Sequence, residues 1–222
     1  DVLTGATLWT ATDQGAAFTT PRMIVHGENR RLLVLTDTGL VCLNPATGAE
    51  AWTFPFRSRV ADTVNAVTPL VQGSRVLLVA GPGAGAACLE LTDDAYEVVW
   101  RDRRVLDSVF NPLVPHEGMI FGFGARRQGG ATLRRLDFAT GRLQWQRATG
   151  LDRGQAVAVD GRLLILGERG HLGVVSLDDP TGDSLRVTDE PILAAPCYSA
   201  PALHRGRLLL RNEQCLRCYD LR

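Results

Sequence analysis

The chain contains no lysine, because all 24 of its basic side chains are arginine. Several enzyme classes depend on a lysine ammonium group or on an amine that can lose its proton, and arginine supplies neither. The sequence therefore excludes the lysine of a phosphate-binding P-loop, a Schiff-base lysine and the phosphate-contacting lysine of a protein kinase.

The sequence also lacks an excess of charge, a long apolar run and a regular cysteine pattern. Its 24 acidic and 24 basic residues balance, which argues against a nucleic-acid partner because phosphate binding normally needs clustered positive charge. No stretch approaches the roughly 18 apolar residues of a transmembrane helix, so no transmembrane segment is predicted. The five cysteines form no disulfide pattern, and we expect buried thiols rather than metal ligands.

What the sequence does contain is a repeated turn phrase, Asp-x-x-Thr-Gly-x-x-x-Trp. Clear copies begin at Asp1, Asn44 and Asp137, and degenerate copies begin at Thr92 and Asp178. The glycine-equivalent positions 5, 48, 96, 141 and 182 are 43, 48, 45 and 41 residues apart. A repeat of this length, with short strand patterns between the copies, predicts a β-propeller.

The turn phrase has a physical logic of its own. Asp and Thr side chains hydrogen-bond to the backbone of a turn, and glycine adopts the positive φ that closes it. The indole four residues later can pack between neighbouring sheets. We therefore interpret these positions as structural clasps, and they are Gly5, Trp9, Gly48, Trp52, Trp100, Gly141, Trp145 and Gly182.

The strand patterns predict an all-β fold made of about five blade units, each a four-stranded antiparallel sheet. Residues 1–222 are expected to form a single propeller domain or the C-terminal part of one. An orphan outer strand, Ala6 to Ala11, is predicted within residues 1–12. The predicted units that follow are residues 13–56, 57–103, 104–148, 149–190 and 191–222.

The last unit is predicted to contain three strands instead of four, which leaves two interpretations. The orphan strand near Trp9 either completes the last blade of a closed five-bladed ring, or the chain is the C-terminal part of a larger propeller. The sequence starts at Asp1 within a turn phrase and without methionine, which favours the larger propeller.

Polar residues are expected to meet on one face of the propeller, near its central channel. In a four-stranded blade, the loop that enters the first strand and the loop that leaves the second open on the same face. We call the residues predicted there the rim residues, and they are Asp37, Thr68, Asn111, Gln155, Glu168, Arg169, Ser199, Arg211 and Asn212.

With its turn phrases, the chain resembles the PQQ-like (pyrroloquinoline quinone repeat) β-propellers. It is most similar to the bacterial PQQ-binding-like repeat proteins and BamB-like outer-membrane assembly factors. The resemblance covers essentially the whole chain and is densest from Leu163 to Gly170 and from Cys218 to Leu221. It implies a full propeller of seven or eight blades and a periplasmic or exported location.

The resemblance also suggests quinone chemistry, which the residues do not support. Quinoprotein dehydrogenases of this superfamily use two adjacent cysteines, a tryptophan, a calcium ion and an aspartate base. No two cysteines are adjacent here. The histidines at 26, 116 and 204 occupy equivalent turns on different units, so they are expected to be too far apart to share a metal. We therefore predict no enzyme activity, no cofactor and no metal.

The function that the sequence favours is a non-catalytic binding or scaffolding propeller, which presents its face to a protein or a small ligand. Two alternatives remain at this stage. The chain could be a fragment of a PQQ-dependent oxidoreductase, or a sensor domain of a larger signalling protein. An upstream pair of adjacent cysteines would favour the first alternative, and a kinase domain in the same chain would favour the second.

Overall fold

The computed structural model describes residues 1–26, 29–58, 60, 63–92, 94–124 and 130–222. Over these residues the chain forms strands and turns and no helix, so the all-β prediction is confirmed. The chain divides into two compact units, Asp1–Phe110 and Asn111–Arg222.

Unit 1 contains two four-stranded antiparallel sheets, in which each strand pairs with the next along the chain. The first sheet consists of β1 (Arg22–His26), β2 (Asn29–Leu35), β3 (Gly39–Leu43) and β4 (Glu50–Pro55). The second consists of β5 (Leu70–Gln72), β6 (Arg75–Ala80), β7 (Gly85–Leu91) and β8 (Tyr96–Asp102).

Unit 2 contains two four-stranded sheets and one three-stranded sheet, also antiparallel. The first sheet consists of β9 (Val114–His116), β10 (Met119–Phe123), β11 (Thr132–Asp137) and β12 (Leu143–Ala148). The second consists of β13 (Gly154–Val159), β14 (Arg162–Gly167), β15 (Leu172–Ser176) and β16 (Arg186–Val187). The third consists of β17 (Ala202–His204), β18 (Arg207–Arg211) and β19 (Leu216–Asp220).

The apolar residues of each unit lie between neighbouring sheets. In unit 1 one core cluster joins both sheets and includes Leu33, Phe56 and Leu89, each at most 1% exposed. In unit 2 one cluster joins the first two sheets around Phe121 and Ile165. The central strand β14 is almost continuously apolar because its alternate residues belong to two core clusters, one with each neighbouring sheet of unit 2.

Residues 6–11, which we predicted as a strand, form no strand in the structure. A strand exists only when its backbone pairs with a neighbour, and the nearest sheet along the chain already has its four strands. What holds this segment is its indole: Trp9 Nε1 donates a hydrogen bond to the carbonyl of Pro45 at 3.1 Å. The interpretation that the chain is part of a larger propeller, and not a closed five-bladed ring, stays a prediction.

The turn phrases adopt the hydrogen bonds that their chemistry suggests. In the copy at Asp137, the carboxylate accepts hydrogen bonds from the backbone N–H and the hydroxyl of Thr140, both at 2.8 Å. Gly141 N–H closes the turn on the carbonyl of Asp137, and the φ of Gly141 is +71°. The copy at Asp1 repeats this arrangement, and in the copy at Asn44 the side-chain oxygen accepts from two backbone N–H groups while Gly48 N–H closes the turn.

The fifth copy of the turn phrase, which we placed at Asp178, begins one residue later than the sequence pattern indicates. We assigned its carboxylate to Asp178, but Asp179 accepts the hydrogen bonds from Thr181, Gly182 and Ser184. Partial burial alone would raise the pKa of Asp179, but the hydrogen bonds from Ser184 and Thr181 together hold that pKa well below its usual range. Asp179 is therefore the acceptor that fixes this turn.

Candidate functional site

The two rim residues predicted in unit 1 both hydrogen-bond to the main chain of the segment that precedes β1. Asp37 N–H donates to the carbonyl of Gly15 at 3.2 Å. The hydroxyl of Thr68 accepts a hydrogen bond from the N–H of Thr20 at 3.2 Å. Thr68 thus holds the loop that enters β1, and it acts as a link between two first strands.

Sequence reasoning missed the buried residue that organises this loop, Asn65. Its side-chain amide donates to the carbonyls of Thr36 at 2.7 Å and Phe56 at 2.9 Å. The main-chain carbonyl of Asn65 accepts a hydrogen bond from the N–H of Phe18. Asn65 is 2% exposed. The available signal was a polar residue just upstream of a first strand, as at Asn111.

In unit 2, four of the predicted rim residues are buried: Asn111, Gln155, Glu168 and Asn212. Asn111 is fully buried, and its amide donates to the carbonyl of Gly154 at 2.9 Å. The amide of Asn212 donates to the carbonyl of Ala194 at 2.9 Å, while its oxygen accepts from the N–H groups after it. Both asparagines therefore connect separate loops.

Glu168 and Arg169 lie next to one basic and one acidic residue, Arg153 and Asp152, that sequence reasoning did not select. Arg153 Nε lies 2.8 Å from Glu168 Oε1, near enough for an ion pair but without hydrogen-bond alignment. Arg169 Nη2 lies 3.7 Å from Asp152 Oδ2, and the side chain of Asp152 is 3% exposed. Two oppositely charged pairs thus join the loops before β13 and after β14.

Three rim residues of unit 2 are accessible to solvent, and they differ in their degree of exposure. The side chain of Arg169 is 66% exposed, so its pairing with Asp152 leaves most of the guanidinium in solvent. Arg211 is exposed at the end of β18, and Ser199 is half-buried. An open depression of about 260 Å³ lies beside Arg211 and Asn212. Arginine is thus the main group that unit 2 offers to a partner on this face.

The cysteines fall into two groups. Cys42, Cys88 and Cys197 are buried, and burial raises the pKa of the Cys42 and Cys88 thiols to about 11. The prediction of buried thiols is wrong for Cys215 and Cys218, which are exposed, Cys218 on the edge strand β19 and Cys215 just before it. All five thiols are free.

One surface cluster brings together groups of the kind that ligate metals. His116 Nε2 lies 2.9 Å from Asp178 Oδ1, and ligand atoms of His116, Glu117 and Asp178 all lie within 4.8 Å of one another. The two carboxylates are exposed to water. The hydrogen bond between His116 and Asp178 accounts for this geometry, and it links the turn after β9 to the turn after β15.

The antiparallel blades define the chain as a β-propeller protein. Its sequence belongs to the PQQ-like repeat family described as outer membrane protein assembly factor BamB, whose family model matches residues 1–189. Among curated proteins none matches the chain significantly. No helix long and apolar enough to cross a membrane occurs in the described part of the chain.

Solved structures show the same fold at low sequence identity. BamB from Moraxella catarrhalis is 14% identical with a TM-score of 0.64, over 96% of this chain and 63% of that chain. The quinohemoprotein alcohol dehydrogenase ADHIIG from Pseudomonas putida HK5 is 12% identical with a TM-score of 0.63, over 94% of this chain and 40% of that one. The computationally designed Ika8 protein is 10% identical with a TM-score of 0.57, over 89% and 57%. This chain therefore spans less than two thirds of each of these proteins.

Proposed function

We propose that the chain is a non-catalytic binding and scaffolding propeller that acts in the periplasm or another exported setting. By the description of its family, the process that it serves is the assembly of outer membrane proteins. Its partner in this proposal is another protein, which contacts the exposed rim residues of unit 2.

The observation that supports this proposal is that some rim residues of unit 2 are buried and bonded inside the unit, whereas others are exposed. Asn111 and Asn212 donate hydrogen bonds to main-chain carbonyls, and Glu168 forms an ion pair with Arg153. Arg169 and Arg211 project outward from the loops so fixed. A buried polar frame with exposed arginines suits recognition, since arginine is enriched among residues that dominate protein interfaces.

Photo-crosslinking tests this proposal, because β14 and β18 carry exposed arginines at both of their ends. A photoreactive amino acid replaces Arg169 or Arg211 at the rim, and Arg162 or Arg207 at the opposite ends serve as matched controls. In cells that contain the full-length protein, we expect discrete adducts with an envelope protein from the rim positions alone. Adducts of equal yield from all four positions, or none, would contradict the proposal.

The purified chain is expected not to bind pyrroloquinoline quinone and calcium. The sequence contains no adjacent cysteines to lie above the quinone, and the thiols of Cys42 and Cys88 are buried in strands. Titration with both ligands, followed by absorbance and by a dye-coupled alcohol assay, measures this, with a quinoprotein alcohol dehydrogenase reconstituted in parallel. Stoichiometric binding with turnover would show that the chain takes part in redox chemistry.

A further inference from the structure

Unit 1 contains a cleft of about 310 Å³ that none of the predicted rim residues lines. One wall is apolar and consists of Pro55, Phe56 and Ala84. The other side carries the guanidinium groups of Arg57, Arg101 and Arg103, and we call the site the arginine cleft. Its volume is at the lower end of the range for small-ligand pockets, so it fits a small molecule or one or two side chains.

The arginine cleft concentrates positive charge in a chain whose net charge is zero. Arg101 lies in β8 and Arg103 directly follows this strand, and both line the cleft, whereas Asp102 between them does not. Asp102 accepts hydrogen bonds from the N–H groups of Arg104 and Val105. Within the described residues, none of the three cleft arginines forms an ion pair with a carboxylate.

Two kinds of contact hold the cleft in shape: stacking of one guanidinium on aromatic rings, and a hydrogen bond between two loops. The guanidinium of Arg101 lies 5.7 Å from the ring centroid of Phe54 and 5.8 Å from that of Phe56. Such stacking uses the face of the guanidinium and leaves its N–H edges available. The hydroxyl of Ser58 donates to the carbonyl of Pro82, which ties the segment after β4 to the turn that contributes Gly83 and Ala84 to the cleft.

We propose that the arginine cleft binds a carboxylate-bearing ligand whose hydrocarbon part packs against Pro55, the exposed residue of the apolar wall. A planar guanidinium binds a carboxylate through two parallel N–H···O hydrogen bonds, and three cationic groups suit a ligand with two negative charges. The apolar wall favours a ligand that has a hydrocarbon part beside its carboxylate. Such a ligand is either a free dicarboxylate or a pair of acidic side chains on a polypeptide.

This inference goes beyond the proposed function, because it concerns unit 1 and not the arginines at the rim of unit 2. Isothermal titration at low salt tests it with two probes, succinate and a blocked Glu-Phe-Glu tripeptide. We expect saturable binding at one site per chain for at least one probe. Binding should weaken as salt increases, since screening reduces the attraction between exposed charges.

Variants locate the binding. Arg103→Gln is expected to weaken it about tenfold, the equivalent of one charge-assisted hydrogen bond. Arg101→Lys keeps the charge but loses the planar fork, so it should also weaken binding. The matched control is Arg22→Gln, an exposed arginine at the start of β1.

The two probes distinguish the source of the carboxylate. Binding of succinate alone identifies a small dicarboxylate, and binding of the tripeptide alone identifies an acidic polypeptide segment. Absence of saturable binding by both probes would overturn the proposal. Equal affinity of Arg103→Gln, Arg101→Lys and the unchanged chain would overturn it as well, because the charge would then act from somewhere else.

Discussion

Replacing Gly170 with alanine is expected to destabilise the fold by about 3 to 5 kcal/mol, from backbone strain together with overpacking. The φ of Gly170 is +86°, a conformation that residues with a side chain rarely adopt. An added methyl group would overlap with the carbonyl of Leu193. That carbonyl cannot withdraw easily, because the N–H groups of Ile192 and Leu193 both donate to the carbonyl of Gly170.

A glycine in the same unit provides the control for this prediction. Gly161 has a φ of +69°, and an added methyl group there meets no atom within 4 Å. Gly161→Ala should therefore cost only the backbone strain, about 1 to 2 kcal/mol. Urea unfolding followed by circular dichroism measures both variants. If the two substitutions cost the same, the close approach of Leu193 does not matter for stability.

The positions of the strands could be predicted well because each depends on local sequence. The apolar runs from Arg75 to Ala80 and from Met119 to Phe123 coincide with the observed bounds of β6 and β10. Apolar runs between glycine-containing turns identify such strands without knowledge of the partner sheet. The segment around Trp9 shows the opposite case, because a strand there requires a partner that local sequence cannot supply.

The site was harder to predict because burial and pairing depend on distant residues. The repeat register indicated Glu168 and Asn212 as rim residues, but it could not show that both are buried and bonded to other loops. Nor could it show which of two adjacent aspartates closes the fifth turn phrase, since Asp178 and Asp179 fit the pattern almost equally. In the structure Asp179 accepts the hydrogen bonds of the turn, and Asp178 pairs with His116, which is 62 residues away.

The arginine cleft could not have been predicted from the repeat at all. Arg57, Arg101 and Arg103 do not belong to the turn phrase, and two neighbouring sheets bring them together only after folding. The spacing of Arg101 and Arg103 gives no information about Arg57 or the apolar wall, because these come from a different part of the chain.

Trp145→Ala is expected to destabilise the fold by about 3 to 5 kcal/mol, the usual cost of removing a buried large aromatic side chain. Trp145 is 6% exposed, and its ring meets the edge of Phe121 with centroids 5.9 Å apart. A methyl group added at Gly182 would lie 3.0 Å from the indole, so the ring packs directly on that glycine. The indole therefore joins the first two sheets of unit 2. Urea unfolding measures the loss, and a loss below about 1 kcal/mol would mean that the indole is not a clasp.

Phenylalanine substitutions separate the packing of the indoles from their hydrogen bonding. Trp145 Nε1 donates to the carbonyl of Asp179 at 3.1 Å, whereas Trp52 Nε1 is buried and has no acceptor among the described residues. Trp145→Phe leaves a carbonyl without its donor, which should add about 1 kcal/mol to the cost of the smaller ring. Trp52→Phe removes an unpaired N–H, so its cost should be smaller by about that amount. Equal costs would show that the clasp depends on ring volume alone.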